Sequence, residues 1–450
     1  MPPSLIRRLG LRSATALVVA NIVGAGIFTT TGFQAADLGH PVLIYALWVV
    51  GGLLALAGAL CYAELGAAMP QAGAEYVYLR ETFGPALAFM SAFVSLMAGF
   101  SGPIAAAAKS FMRYAAHLMP NVDVSGRVLG VSVEDLGAIV VVWILIAVHF
   151  RGVRGGYGFN DAMTLIKVVG IVGIIVAAVT IGRGQVENLV APSAGYADLQ
   201  QTGALLPALA TSLVFVMFCY AGFNASAYVA SEMENPQRDL PRSLLIGTSI
   251  VALLYLGLNF VYFYGAGVDE LAGQVEVGLV ASRQLFGGGG VNAVTLILCI
   301  SILASASAMT IAGPRVYYSF GRDYPPLRAL ARVHPRTGAP TAALVLQGIV
   351  TSALIVSGRV DQIQQYAGLT ISLFASLAVS CVIVLRIRRP DMPRPFRTWG
   401  YPMTPIVFLG VSAWMMFWAY QGRPVESTLA LGTVGVGGAA FFLLSRRGSE

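Results

Sequence analysis

Apolar stretches recur along this chain in a way that leaves few folds open. They cover about residues 13–38, 41–68, 84–118, 132–150, 159–182, 203–231, 240–266, 290–320, 339–357, 362–386, 402–420 and 426–445. A helix needs about 20 apolar residues to cross the hydrocarbon of a bilayer, and each stretch meets that length. Helix-ending residues and charges separate them: His40-Pro41, Met69-Pro70, Arg151 to Gly156, Asn235-Pro236 and Arg386 to Pro395. In lipid a helix satisfies its own backbone, whereas an open sheet leaves an edge bare. The pattern predicts an all-α polytopic membrane protein with 12 transmembrane helices.

Composition agrees. Of 450 residues, 57% are hydrophobic and 11% charged, with a mean hydropathy of +0.75. Soluble domains carry about 25% charged residues. A soluble chain this long would split into about three domains, each with a polar skin. So few charges cannot cover them, which excludes an ordinary soluble enzyme and a disordered chain. The four cysteines (Cys61, Cys219, Cys299, Cys381) lie in apolar stretches without metal or redox spacing and read as buried hydrophobes. The run Gly287–Gly290 reads as a turn before a span.

The net charge of +7 is a topology signal. With the N-terminus inside, nineteen arginines fall in inside segments. Five (Arg127, Arg183, Arg283, Arg359, Arg423) fall outside. This positive-inside bias predicts both termini in the cytoplasm of an integral plasma (inner) membrane protein, and it removes the case for a nucleic-acid partner. The first stretch is expected to be a retained span, because it carries a glycine motif used below. The chain has only two lysines, Lys109 and Lys167, and both fall within predicted spans; everywhere else it uses arginine.

Two spans are interrupted. The first contains Asn21-Ile22-Val23-Gly24-Ala25-Gly26-Ile27-Phe28. Small residues there suit either close helix packing or local unwinding, since glycine weakens a helix by about 1 kcal/mol. The sixth carries Phe218-Cys219-Tyr220-Ala221-Gly222-Phe223-Asn224. Interruptions at matching places in two halves point to a transporter binding site. Two inverted repeats of five helices are therefore expected at 13–182 and 203–386. Two peripheral helices would follow at 402–445, between cytoplasmic ends at 1–12 and 446–450. Freed N–H groups at a half-helix start attract a carboxylate, and freed carbonyls accept from an ammonium. One site could then hold both charged groups of an α-amino acid.

These residues resemble the amino acid–polyamine–organocation transporters, and among them the L-amino-acid transporter branch. The resemblance rests on Gly24-Ala25-Gly26-Ile27-Phe28, Tyr62-Ala63-Glu64-Leu65, Met69-Pro70 and Gly73-Ala74-Glu75-Tyr76-Val77-Tyr78. It continues through Phe218 to Asn224, Glu232, Glu234-Asn235-Pro236, Arg238 and Leu240-Pro241. It implies a LeuT-like fold with helices 1 and 6 broken. The substrate carboxylate would meet the N–H groups of Gly24, Ala25 and Gly26. The ammonium would meet the carbonyls of Ile22, Phe218 and Ala221. Phe218 would form an outer lid, with Cys219 and Phe223 beside it and Asn224 bracing the break. The chain departs from the family pattern in having Phe223 for a frequent Trp and Ala221 for a frequent Gly.

The resemblance also places Lys167 against the first break, where sodium-coupled relatives bind a cation. From its residues alone, snorkelling to the cytoplasmic side is open to Lys167; its contrast with the arginine anchors favours a buried role. The expectation is sodium-independent transport of neutral L-amino acids by exchange, with proton-coupled symport through a titrating Lys167 as the alternative. The expected partners are the amino-acid substrate, the lipid bilayer and, in the symport version, protons. No cofactor, metal or catalytic residue is expected, because no histidine, aspartate or glutamate cluster has ligand spacing. No charged side chain is expected beside the substrate. Glu64 is read as a helix-end charge pairing with a loop arginine. Glu232 and Glu234 are expected to pair with Arg238 and Arg242, Lys109 and Arg113 to snorkel, and Arg315 to stay near the inner interface.

Overall fold

The computed structural model describes residues 9–119, 126–128, 130–150, 156–334 and 338–447. The expected cytoplasmic ends beyond Leu9 and Arg447, the boundary arginines Arg151 and Arg154, and Arg336 lie outside these residues. The first span is two helices, α1 (Leu11–Ile22) and α2 (Ala25–Leu38). Then come α3 (Pro41–Ala68), α4 (Glu75–Phe83), α5 (Pro85–Val94), a π-helical turn (Ser95–Phe100) and α6 (Ser101–Ala116). Pro41 and Pro85 sit in the first turns of α3 and α5, where a missing N–H breaks no helical hydrogen bond. A two-residue hairpin (Arg127–Val128 with Val131–Ser132) precedes α7 (Val133–Phe150) and α8 (Gly156–Thr180).

The second half has short α9 (Tyr196–Gln201), then α10 (Leu205–Tyr220), α11 (Ala225–Tyr228), α12 (Pro236–Gly265) and α13 (Val268–Leu271). It continues with α14 (Val277–Asp323), α15 (Thr341–Ser357), α16 (Val360–Arg388), α17 (Met403–Gly422) and α18 (Pro424–Arg447). Among the described residues, 10 helices are long and apolar enough to cross a membrane, and Leu205–Tyr220 and Thr341–Ser357 are shorter apolar helices. The Gly287–Gly290 turn is a kink at Gly287 (φ 64°) inside a helix that otherwise continues.

Packing sorts these helices into centre and rim. α1 and α2 are surrounded almost completely, while α7, α8, α17 and α18 leave most of their surface uncovered. Uncovered side chains on the rim and on the outward face of α12 are apolar, such as Leu165, Val179, Leu253 and Phe442. Water would not favour such a surface; lipid does. The contacts are reciprocal between the halves. α1 packs on α12 as α10 packs on α3; α1 packs on α8 as α10 packs on α16; α3 runs against α12 and α6 against α14.

Charged groups near the helix ends are tied inside the bundle. Glu64 accepts from Arg386 (2.6 and 2.9 Å) and the Thr398 N–H (2.7 Å), with Arg394 at 3.4 Å, so it pairs as expected. Two expectations need correction. Lys109 does not snorkel: it is buried, donates to Asp135 and to the Ile355 carbonyl (3.0 Å), and Arg113 donates to Glu134 (3.0 Å). Glu232 pairs with Arg315 of α14 (3.6 Å), and Arg238 with adjacent Asp239 (3.0 Å). Acidic residues at the start of α7 supply the partners that make burial of Lys109 cheaper than reaching for headgroups.

Candidate functional site

Both interruptions open the backbone. α1 ends at Ile22, Val23 and Gly24 are extended, and α2 begins at Ala25. The first N–H groups of α2 therefore have no helical acceptor. α10 ends at Tyr220, Gly222 takes φ 118°, and the single turn α11 and a short 3-10 turn (Ala230–Glu232) follow. Gly222 is required twice over: its φ is left-handed, and a Cβ would lie 3.1 Å from the backbone of Asn21. The two breaks thus face each other.

A cavity lies between them. Ile22, Gly24, Ala25, Gly26, Phe218, Cys219, Ala221 and Asn224 line it, together with Pro103 and Ala107 of α6 and Ser305 and Met309 of α14. Phe223 is not among its walls. It is buried edge-on against Tyr62 (5.4 Å between ring centres), so its ring fills space between α3 and the break. Close approach leaves no room for side chains at the first break. A Cβ on Gly24 would meet the Ser305 hydroxyl at 2.6 Å, and one on Gly26 would meet Cys219 Sγ at 2.6 Å.

The carbonyls freed at the end of α1 are already engaged. Lys167 of α8, fully buried, donates to the Val23 carbonyl (2.7 Å) and the Ala20 carbonyl (3.3 Å). Tyr255 of α12 donates to the Ile22 carbonyl (2.6 Å) and lies 3.0 Å from the Cys219 carbonyl, bridging the two breaks. The Phe218 carbonyl accepts the Ala221 N–H (3.1 Å). Ile22 and Phe218 therefore offer at most a second lone pair each to an ammonium. At the other end of the site, Thr30 of α2 contacts Cys219 (3.2 Å) and donates to Gln364 of α16 (3.2 Å), which donates to Thr29 (2.8 Å).

The expectation that no charged side chain adjoins the pocket is overturned by Glu75, which lines it. Glu75 opens α4, outside the spans, but the turn before it points inward. Gly73 (φ 109°) and Ala74 (φ 41°) both adopt left-handed backbone, and the Gly73 N–H donates to the Tyr228 carbonyl (3.3 Å). A non-glycine residue at positive φ is strained and needs surrounding contacts to hold it. One Glu75 oxygen accepts from both Tyr62 and Asn224 (2.9 Å). Burial pushes the Glu75 carboxyl up to about 7, against the opposing pull of those two hydrogen bonds. Asn224, at the second break, donates to Glu75 and to the Tyr228 hydroxyl (3.2 Å).

Sequence reasoning missed Glu75, Tyr255 and Ser305. Glu75 was visible inside the Gly73-to-Tyr78 motif, but its position between spans hid its depth. Tyr255 and Ser305 carry no signal in a helix pattern. Among the described residues no cluster of histidine, cysteine or acidic side chains could hold a metal.

The chain is similar in sequence to known proteins. The amino acid permease family matches residues 9–439. The rabbit large neutral amino acids transporter small subunit 2 is 27% identical over 447 residues, 98% of this chain and 81% of that protein. The human b(0,+)-type amino acid transporter 1 is 28% identical over 448 residues, 98% of this chain and 88% of that protein. The human cystine/glutamate transporter is 27% identical over 392 residues, 87% of this chain and 76% of that protein. The chain belongs to the amino acid permease family of the amino acid–polyamine–organocation superfamily, whose members are membrane transporters and not enzymes.

Proposed function

We propose that the protein is a sodium-independent exchanger of neutral L-amino acids that works by alternating access. Lys167 carries this reading: its ammonium donates to the Val23 and Ala20 carbonyls at the break, where a coupling cation would otherwise be needed. The N–H groups of Gly24, Ala25 and Gly26 hold the substrate carboxylate at the positive end of α2. Its ammonium takes the remaining lone pairs of Ile22 and Phe218 and the carbonyl of Ala221. Phe218 and Cys219 close over it, Asn224 holds the second break, and Phe223 supports it from behind. Neutral substrates are favoured because the walls at Pro103, Ala107 and Met309 are apolar, and Glu75, the acidic side chain among the walls, carries no charge when protonated. The relative named as a large neutral amino acids transporter small subunit supports the same substrate class.

The reciprocal packing of the two halves supports a LeuT-like pair of inverted repeats at 13–182 and 203–386, with 402–445 peripheral. Twelve spanning segments follow if the two shorter apolar helices are included. The arginine bias supports cytoplasmic termini in the plasma (inner) membrane.

Uptake of labelled amino acid into proteoliposomes tests the proposal. Flux is expected to be equal with and without sodium, to rise with internal amino acid, and to be lost in Lys167→Ala. Strong sodium dependence, or an unaltered Lys167→Ala, overturns it. Net accumulation driven by a proton gradient without internal substrate selects symport instead.

A further inference from the structure

We infer that Glu75 is a proton-binding site of the transport cycle: the cavity closes over a neutral amino acid only when this carboxyl carries a proton. The inference rests on the proposed transport of neutral amino acids through this cavity.

The first support is position. Glu75 lines the cavity together with the two breaks, although its own helix lies outside the spans. The strained Gly73-Ala74 turn holds it there. A solvated surface carboxylate would need no such turn.

The second is the absence of a counter-ion. Among the described residues no hydrogen bond or ion pair joins Glu75 to a lysine, arginine or histidine. Its partners are the Tyr62 hydroxyl and the Asn224 amide. The titratable groups facing it are Tyr62 of α3, Tyr78 one turn along α4, Tyr228 of α11 and Cys381 of α16. Phenols and thiols titrate near 10 and 8.5 in water and are neutral at pH 7. Of the charges further along these elements, Arg80 pairs with Asp323, Glu81 with Arg389 and Glu64 with Arg386, while Arg388 of α16 donates to the Thr82 carbonyl at the far end of α4 (3.3 Å). An ionised Glu75 in the closed cavity would thus be a buried, unpaired charge, which is costly. A protonated Glu75 would not. Once the cavity opens to water, solvation removes that penalty and the proton can leave.

The third is linkage to the substrate site. Asn224, at the second break, donates to Glu75. A change of charge on Glu75 alters the acceptor that holds Asn224, and with it the backbone between Ala221 and Asn224.

The sign follows from burial. The carboxyl is raised to about 7, so the protonated, closure-competent form dominates below that pH and is lost above it.

Exchange should be measured in proteoliposomes at equal pH on both faces, across a pH series spanning neutrality. The wild type is expected to slow by about tenfold for each pH unit well above the carboxyl value. Glu75→Gln, which cannot ionise, is expected to lose this inflection, and Glu75→Asp to move it. A flat wild-type profile overturns the inference, as does an unchanged inflection in Glu75→Gln. If Glu75→Gln transports too little to measure, substrate-induced thermal stabilisation of the purified protein across the same pH series replaces the flux. There an inflection unmoved in Glu75→Asp overturns the inference. Failure of neutral amino acids to exchange at any pH would instead overturn the proposed function.

Discussion

Gly26 has room for a hydrogen and nothing more. A Cβ there would approach Cys219 Sγ to 2.6 Å and Cys219 Cα to 3.3 Å. A side chain at Gly26 thus collides first with α10. Gly26→Val is therefore expected to push the two breaks apart and weaken amino-acid binding by at least about tenfold, about 1.4 kcal/mol, with Gly26→Ala intermediate. Equilibrium binding to purified, folded variants measures this, and normal affinity in Gly26→Val would contradict it. The glycines were legible because their helix penalty is local. Lys167 stood out through its contrast with arginine. Glu75 did not, because its depth comes from a turn whose dihedrals no spacing rule reveals. Tyr255 did not either: one tyrosine in an apolar helix is uninformative until its hydroxyl is seen on Ile22 and near Cys219.

At the scale of helices, ion pairs decide how the spans are joined. Glu64 on α3 is held by Arg386 on α16 and by Arg394 and Thr398 beyond it. This contact ties the first half to the second and to the segment leading into α17. Arg386→Ala would leave a buried carboxylate short of its closest partner. Such losses cost about 3–5 kcal/mol. A clear fall in thermal stability of the detergent-solubilised protein is expected, and the double variant with Glu64→Gln should recover much of it. A double variant no more stable than Arg386→Ala would show that the pair carries little. The positions of the spans could be read from hydropathy, but the pairing of their ends could not. Arg238 and Arg242 are nearer to Glu232 in sequence than Arg315 is, yet the fold sets Arg315 against it. Lys109 likewise found Asp135 and a carbonyl inside the bundle.

For the whole molecule, the prediction concerns substrate choice. In competition against a labelled neutral L-amino acid at or below neutral pH, other neutral L-amino acids are expected to displace it best. Better displacement by arginine, lysine or glutamate would contradict the proposal, and strong competition by the cationic pair would point to an ionised Glu75. The sequence by itself determined that this chain is a helical membrane protein, because a charge-poor chain with repeated apolar stretches has only lipid to face. It also determined where two helices break and, through its motifs, the transporter family. Those properties depend on neighbours within one or two helical turns. Only the tertiary structure decided that Lys167 and Tyr255 occupy the carbonyls freed at the first break, that Phe223 stands behind the cavity, and that Glu75 faces into it. Each of those facts joins residues far apart in the chain, and such contacts are set by how the helices pack against one another.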